Sequence, residues 1–274
     1  MIYRRCSAIA QERKAIVKSS LFDLTGKVAI ITGSARGIGR VLAQELAAVG
    51  TKIVVADMKV KDSENTVKAI QEAGGEVIAI PTDVRKRQEC DRLIKKTVAH
   101  YQRLDIMLCN AGIDIIKPAA ALEELEWDDI INTNLKGYFQ CAQLAAQQMI
   151  QQGTGGSIIM NSSIAGVVGI AGSAAYTASK GGVNLLVQSL ALEWAEYNIR
   201  VNGFGPGYID NIMEGTEGFR RPPEEDQQHL NTVIPMKRRG KPEELVGPVI
   251  FLASEAASYV TGAILMVDGG YSAM

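Results

Sequence analysis

Three kinds of side chain in the stretch Ser157 to Lys180, SIIMNSSIAGVVGIAGSAAYTASK, have types and spacing that could move a proton. Tyr176 and Lys180 are i and i+4, so a helix would stack the ammonium beside the phenol on one face. A phenol titrates near pH ~10, and a cation held beside it in a desolvated pocket would lower that value. Tyr176 could then exchange a proton with an alcohol or a carbonyl near neutral pH. Ser162 or Ser163, at the end of the preceding apolar run, could hydrogen-bond the same oxygen. A Tyr and a Lys one turn apart are ordinary on a helix surface. This pair differs in its setting, because no Asp, Glu, Lys or Arg occurs from Gly137 to Ser179.

A second signal lies upstream. The apolar run Lys27 to Thr32 is followed by Gly33-Ser34-Ala35-Arg36-Gly37-Ile38-Gly39 and a helical pattern that stops at Gly50. Glycines let the backbone turn tightly and approach a ligand, and the helix behind them presents free N–H groups and a positive dipole end to a pyrophosphate. The next strand, Lys52 to Ala56, ends in Asp57, where a carboxylate can accept from the hydroxyls of an adenosine ribose. The combination predicts a bound dinucleotide, and NAD rather than NADP, since Asp57 would repel a 2′-phosphate. Arg36 is the opposing signal, because its guanidinium could reach that phosphate. Asp83-Val84 and Asn110-Ala111-Gly112 also fall at strand ends, where turn chemistry alone would place such residues.

The elements that must position these groups alternate. Strands over 27–32, 52–56, 76–81, 104–109, 157–160, 199–204 and 263–267 are separated by helices over 61–73, 86–100, 127–150, from Tyr176 onward, and 241–253. This order predicts an α/β fold, a doubly wound parallel sheet in one domain over 24–274, with ligands at the carboxyl ends of the strands. Asn134 is an oddity inside its helix and implies exposure or a specific hydrogen bond. Tyr208 to Gly240, with Glu214, Glu217, Arg220, Arg221, Glu224, Glu225, Asp226 and Pro222-Pro223, reads as an irregular substrate lid over about 208–240. Residues 1–23 read as an extension without the apolar core of a secretory signal.

Composition narrows the function classes. A net charge of −1 supplies no basic field for nucleic acid. Cys6, Cys90, Cys109 and Cys141 lack metal or redox spacing and read as free thiols, and two histidines make no metal cluster. The uncharged run is broken by glutamines before it could span a membrane. The glutamine-studded helix from Trp127 to Ile150 is instead expected to pack, with the Tyr176 helix, against a second copy of the chain.

With these residues in view, the sequence resembles the short-chain dehydrogenase/reductase family over Leu24 to Met274. Thr32-Gly33-x-x-x-Gly37-x-Gly39, Asn110-Ala111-Gly112, Asn134, Ser163 with Tyr176 thirteen residues on, Lys180, Pro206-Gly207 and Val267-Asp268-Gly269-Gly270 stand in family order and spacing. The resemblance implies a Rossmann-like fold and a homotetramer, and the free thiols point to a reducing, cytoplasmic compartment. It also implies Tyr176 as general acid/base, Lys180 as the residue that lowers its pKa and holds the nicotinamide ribose, Ser163 polarising the carbonyl, and Asn134 anchoring a water relay. The expected dinucleotide contacts are Gly33, Ser34, Arg36, Gly37, Ile38, Gly39, Asp57, Met58, Asp83, Val84, Asn110, Ala111, Gly112, Tyr176, Lys180, Pro206, Gly207 and Ile209. Asn211 stands where the family often has Thr, and Cys109 replaces the first Asn of Asn-Asn-Ala-Gly. The expected activity is hydride transfer between NAD and a secondary alcohol or ketone, with a polyol, sugar or hydroxy acid as substrate. A 3-oxoacyl-carrier-protein reductase is the alternative within the class, and a non-catalytic dinucleotide sensor the alternative outside it.

Overall fold

The computed structural model describes residues 21–210 and 222–274. Residues 1–20, including Cys6, and Asn211, Glu214, Glu217, Arg220 and Arg221 of the expected lid lie outside them. The apolar runs form seven strands: β1 Val28–Thr32, β2 Lys52–Asp57, β3 Val77–Pro81, β4 Ile106–Cys109, β5 Gly156–Asn161, β6 Ile199–Pro206 and β7 Ile264–Val267. All are parallel, in the order β3-β2-β1-β4-β5-β6-β7. Parallel strands covered on both faces need apolar side chains on both, which is why they read as unbroken apolar runs.

The helices are α1 Gly37–Ala48, α2 Val60–Glu72, α3 Arg87–Tyr101, α4 Glu124–Ile131, α5 Gly137–Gln152, α6 Ala174–Trp194, α7 Pro223–Val233 and α8 Val246–Ala253. Leu93 of α3, Ala145 and Met149 of α5 and Val187 of α6 cover one face of the sheet. Leu42 and Leu46 of α1, Ile70 of α2 and Leu252 of α8 cover the other. The chain builds outward in one direction from β1 and in the other from β4, so a crevice opens at the carboxyl ends of these two strands.

Two expectations change. The helix predicted over 127–150 is longer and composite, α4 and α5 joined through a π-helical turn at Asn132–Lys136. The wider turn carries Asn134, which is fully buried: its Oδ1 accepts from Ile113 N at 2.9 Å and its Nδ2 donates to Ile113 O at 2.8 Å. The specific hydrogen bond, not exposure, explains the amide. The expected irregular lid contains α7. Pro223 opens that helix and Glu224, Glu225 and Asp226 fill its first turn, so the charges that suggested a loop are favourable at a helix N-terminus.

Three glutamines of α5 are engaged within this chain. Gln140 donates to Val84 O at 2.9 Å and Gln143 accepts from Arg87 at 2.7 Å. Gln152 receives Leu104 N at 3.0 Å. Gln147 and Gln151 are exposed. Cys90, Cys109 and Cys141 are buried and unbridged. Among the described residues no helix is long and apolar enough to cross a membrane.

Candidate active site

A cleft of about 570 Å³ opens at the carboxyl edge of the sheet, within the usual size of a small-molecule site. Its first half is the turn between β1 and α1. Gly33 and Gly37 have φ of +66° and +57°, a region glycine enters without strain. A Cβ on Gly33 would come within 2.7 Å of Ala111 Cα, and one on Gly39 would collide with Gly33 O. The turn therefore presents bare backbone to the cleft. Helix α1 begins there with no side chain capping its first N–H groups and no acid in its first turn, which suits an anionic group. These features fit a dinucleotide pyrophosphate.

The polar side chains of this half are held by the protein itself. Ser34 Oγ donates to Ile31 O at 2.6 Å and accepts from Ala56 N at 3.2 Å. Asp57, at the end of β2, accepts from Ala35 N at 3.1 Å on one oxygen and from Lys59 N at 2.9 Å on the other. Each oxygen keeps a lone pair for a further donor. Asp83 is bound by Arg85 at 3.0 Å, which holds its carboxyl below the usual range against the opposing effect of burial. Asn110 Nδ2 donates to Thr32 O and Gly33 O at 3.0 and 3.1 Å, tying the loop after β4 to the glycine turn.

The second half is assembled from β5, the loop after it and α6. The two serines separate here: Ser162 Oγ donates to Asn184 Oδ1 at 2.5 Å, whereas Ser163 Oγ accepts from Ala165 N at 3.1 Å and lies close enough to the Tyr176 phenol to pull its pKa down. Lys180 is 3% exposed. Its Nζ donates to Asn161 O at 2.6 Å and to Tyr138 Oη at 3.4 Å, and stands 5.5 Å from the centre of the Tyr176 ring. Asn134 lies behind the cleft, and its Nδ2 reaches Ser179 Oγ at 3.3 Å, a hydroxyl that in turn donates to Tyr176 O. Both of its amide groups are engaged by protein atoms.

The electrostatics reverse one expectation. Burial pushes the Tyr176 phenol up to about 12, with Ser163 pulling it down and the charge of Asp114 adding to the rise. Lys180 does not hold it low. The ammonium is itself pushed down to about 7 by burial, against the attraction of Asp114, and it faces a main-chain carbonyl rather than the phenol oxygen. Desolvation outweighs the i, i+4 proximity.

Of the expected site residues, all except Ser34 and Asn134 line the cleft; those two are buried behind its wall. Lys59, Arg85, Asp114 and Asn161 also line it and carried no sequence signal; Tyr208 and Arg239 line it from the two ends of the expected lid. Arg239 sits over the Tyr208 ring at 5.6 Å and pairs with Asp226 at 2.6 and 2.9 Å.

The chain matches known proteins over nearly its whole length. The family model described as Enoyl-(Acyl carrier protein) reductase covers residues 33–272. The 2-dehydro-3-deoxy-D-gluconate 5-dehydrogenase of Escherichia coli (strain K12) is 37% identical over 254 residues, 93% of this chain and 98% of that one. The 3-oxoacyl-[acyl-carrier-protein] reductase FabG of Thermotoga maritima is 38% identical over 90% of this chain and 98% of its own. An Agrobacterium tumefaciens structure described as a putative 2-deoxy-D-gluconate 3-dehydrogenase with bound NADP superposes with a TM-score of 0.83 at 33% identity, covering 93% of this chain and 99% of that one. Sequence, sheet order and these relatives agree: the chain belongs to the short-chain dehydrogenase/reductase family, whose members are oxidoreductases that bind a nicotinamide dinucleotide.

Proposed function

We propose that the protein is an NAD(H)-dependent oxidoreductase that interconverts a secondary alcohol and a ketone on a hydroxylated small molecule. The observation that carries this reading is the meeting of Ser163, Tyr176 and Lys180 in one cleft with the glycine turn and Asp57. The dinucleotide, when bound, supplies the hydride. Gly33, Arg36, Gly37, Ile38 and Gly39 hold its pyrophosphate and Asp57 its adenosine ribose. Asp83, Val84, Asn110, Ala111 and Gly112 line the path between, and Pro206, Gly207 and Ile209 close the far side.

Tyr176 is neutral at physiological pH, so it enters carbonyl reduction as a proton donor, at the oxygen that Ser163 also hydrogen-bonds. Lys180, poised at about 7, when charged sets a positive charge beside the ring as the phenol gives up its proton. Asn134 is a positioning residue that fixes the loop after β4 through Ile113 and the start of α6 through Ser179.

Asp57 supports NAD. A carboxylate beside the ribose accepts from both hydroxyls, whereas a 2′-phosphate there meets a like charge worth several kcal/mol. The NADP-bound Agrobacterium neighbour and the FabG relatives favour a second reading, an NADP-linked 3-oxoacyl reductase, which Arg36 would assist. Turnover of polyols, sugar acids and 3-oxoacyl thioesters with each dinucleotide, followed by nicotinamide absorbance, decides between them. Activity confined to the thioesters with NADP overturns the first reading.

A homo-oligomer is part of the proposal. Helix α6 exposes Leu185 and Leu192, the latter 85% accessible, and Leu125 and Trp127 of α4 are exposed on a neighbouring helix. An apolar face of this kind suits a two-fold contact between copies.

A further inference from the structure

Tyr138 is a buried phenol whose polar end meets the Lys180 ammonium. It is the second residue of α5, 1% exposed, and follows the π-helical turn that carries Asn134. Asn134, expected to anchor a water relay, spends its amide on Ile113 and Ser179. Among the described residues Tyr138 is the one side chain that hydrogen-bonds Lys180 Nζ, at 3.4 Å, and the main-chain Asn161 O takes the other contact at 2.6 Å. Tyr138 Oη lies 3.3 Å from the same Asn161 O, so the three atoms close a triangle. The ammonium stands 5.0 Å from the centre of the Tyr138 ring and 5.5 Å from that of Tyr176.

The donor inventory sets the direction of each bond. An ammonium only donates, so Tyr138 Oη accepts from Lys180 and gives its single proton to Asn161 O. A neutral amine has a lone pair, and the same hydroxyl can then turn its proton to the nitrogen. Tyr138 thus meets Lys180 in either state and favours the charged one, because a hydrogen bond to an ionised group is roughly twice as strong as a neutral one. The two aromatic faces add to that preference. Tyr138 itself stays a neutral phenol: burial holds it well above its ordinary range, and Cys109, Tyr176 and Cys141 add to the rise. Besides Tyr176 on its own helix, the other titratable groups that face Lys180 are Asp114 from the loop after β4 and Cys109 from β4, and both oppose the effect of burial on the ammonium.

We infer that Tyr138 is a positioning residue for the proposed reaction: with Asn161 O it clamps the Lys180 ammonium beside the Tyr176 ring and keeps it charged as the phenol gives up its proton. The inference rests on the oxidoreductase reading and adds to it a residue that does not itself line the cleft.

The test is Tyr138→Phe, which keeps the ring and removes the hydroxyl. Lys180 is titrated through the ε-carbon resonance of isotope-labelled lysine, assigned by its loss in Lys180→Met, and reduction of dihydroxyacetone and of an acetoacetyl thioester is followed over pH with each reduced dinucleotide. Loss of the acceptor should lower the Lys180 midpoint by about half a unit to one unit and move the alkaline limb of kcat down with it. A hydroxyl that only supports the fold would lower the melting temperature and leave the midpoint in place. A midpoint that moves by less than about 0.2 units, or upward, overturns the inference, as does a lowered midpoint with an unmoved limb. A second measurement needs no change at Tyr138: in Tyr176→Phe, which removes the other phenol beside the ammonium, a tyrosine ζ-carbon resonance should still step at the Lys180 midpoint as the Tyr138 proton turns. No such step overturns the inference. A lowered midpoint in a protein that reduces neither ketone upholds the clamp and counts against the oxidoreductase reading alone.

Discussion

The two halves of the cleft are wired in opposite ways. Around the glycine turn every polar side chain described above has a protein partner: Ser34, Asp57, Asp83 and Asn110 are each held by backbone or by Arg85. Around Tyr176 the balance is negative. Asp114 Oδ1 and Asn161 Oδ1 are buried without a donor, the Lys180 ammonium is desolvated, and the Tyr176 phenol is held neutral. On the proposed function, one half is a preformed mould for a nucleotide. The other stores electrostatic cost that a reacting ligand can relieve, which is how a site favours a changing charge distribution over a static one.

If the halves are separable, substitutions in them break different functions. The largest effect is expected from Tyr176→Phe, which removes the proton donor and leaves the turn intact. Turnover should fall by about 10²–10⁴-fold while dinucleotide affinity, measured by quenching of protein fluorescence, stays within a few fold. Equal losses in both would join the halves. Next in size is Asp57→Ser, which should move the NADP to NAD ratio of kcat/KM upward on the order of 10²-fold without abolishing turnover. A native protein that already prefers NADP at equal subsaturating concentrations contradicts the role given to Asp57.

The smallest effect on chemistry belongs to the outer surface. Leu192→Glu on α6 should lower the assembled mass seen by light scattering while the isolated fold keeps its circular dichroism. An unchanged assembly would move the interface elsewhere.

How much of this was legible in the sequence follows the same division. The nucleotide half is local: strand, glycine turn and helix are contiguous, and Asp57 lies one unit further on, so spacing alone located it. The Tyr176–Lys180 pair was visible for the same reason, but its environment was not. The partner of Lys180 is the main-chain carbonyl of Asn161, and backbone atoms leave no residue signature. Asp114 meets Ser173 across 59 residues, and Asn134 meets Ile113 through a π-turn that no periodicity announces. The sign of the Tyr176 shift was missed because helical spacing reports proximity, whereas burial decides which charged form survives. Helix α7 is masked in the sequence by Glu224, Glu225 and Asp226, charges that suit a solvent-facing loop as well as the first turn they occupy.

The claim that the reacting half is held under electrostatic cost has a direct test in Lys180→Met, which keeps the apolar stem and removes the charge. The lysine titrates at about 7 in the fold and at 10.5 in its ordinary state. Between those values the unfolded chain binds more protons than the folded one, so this group makes the native protein more stable as pH rises through the window. The hydrogen bond lost to Asn161 O contributes a pH-independent offset, so the slope is the readout. Chemical denaturation of both proteins from pH 6 to pH 10 should show the native protein gaining on Lys180→Met by a few kcal/mol. A difference that stays flat across that range, or that favours the native protein more at pH 6 than at pH 10, would contradict the account.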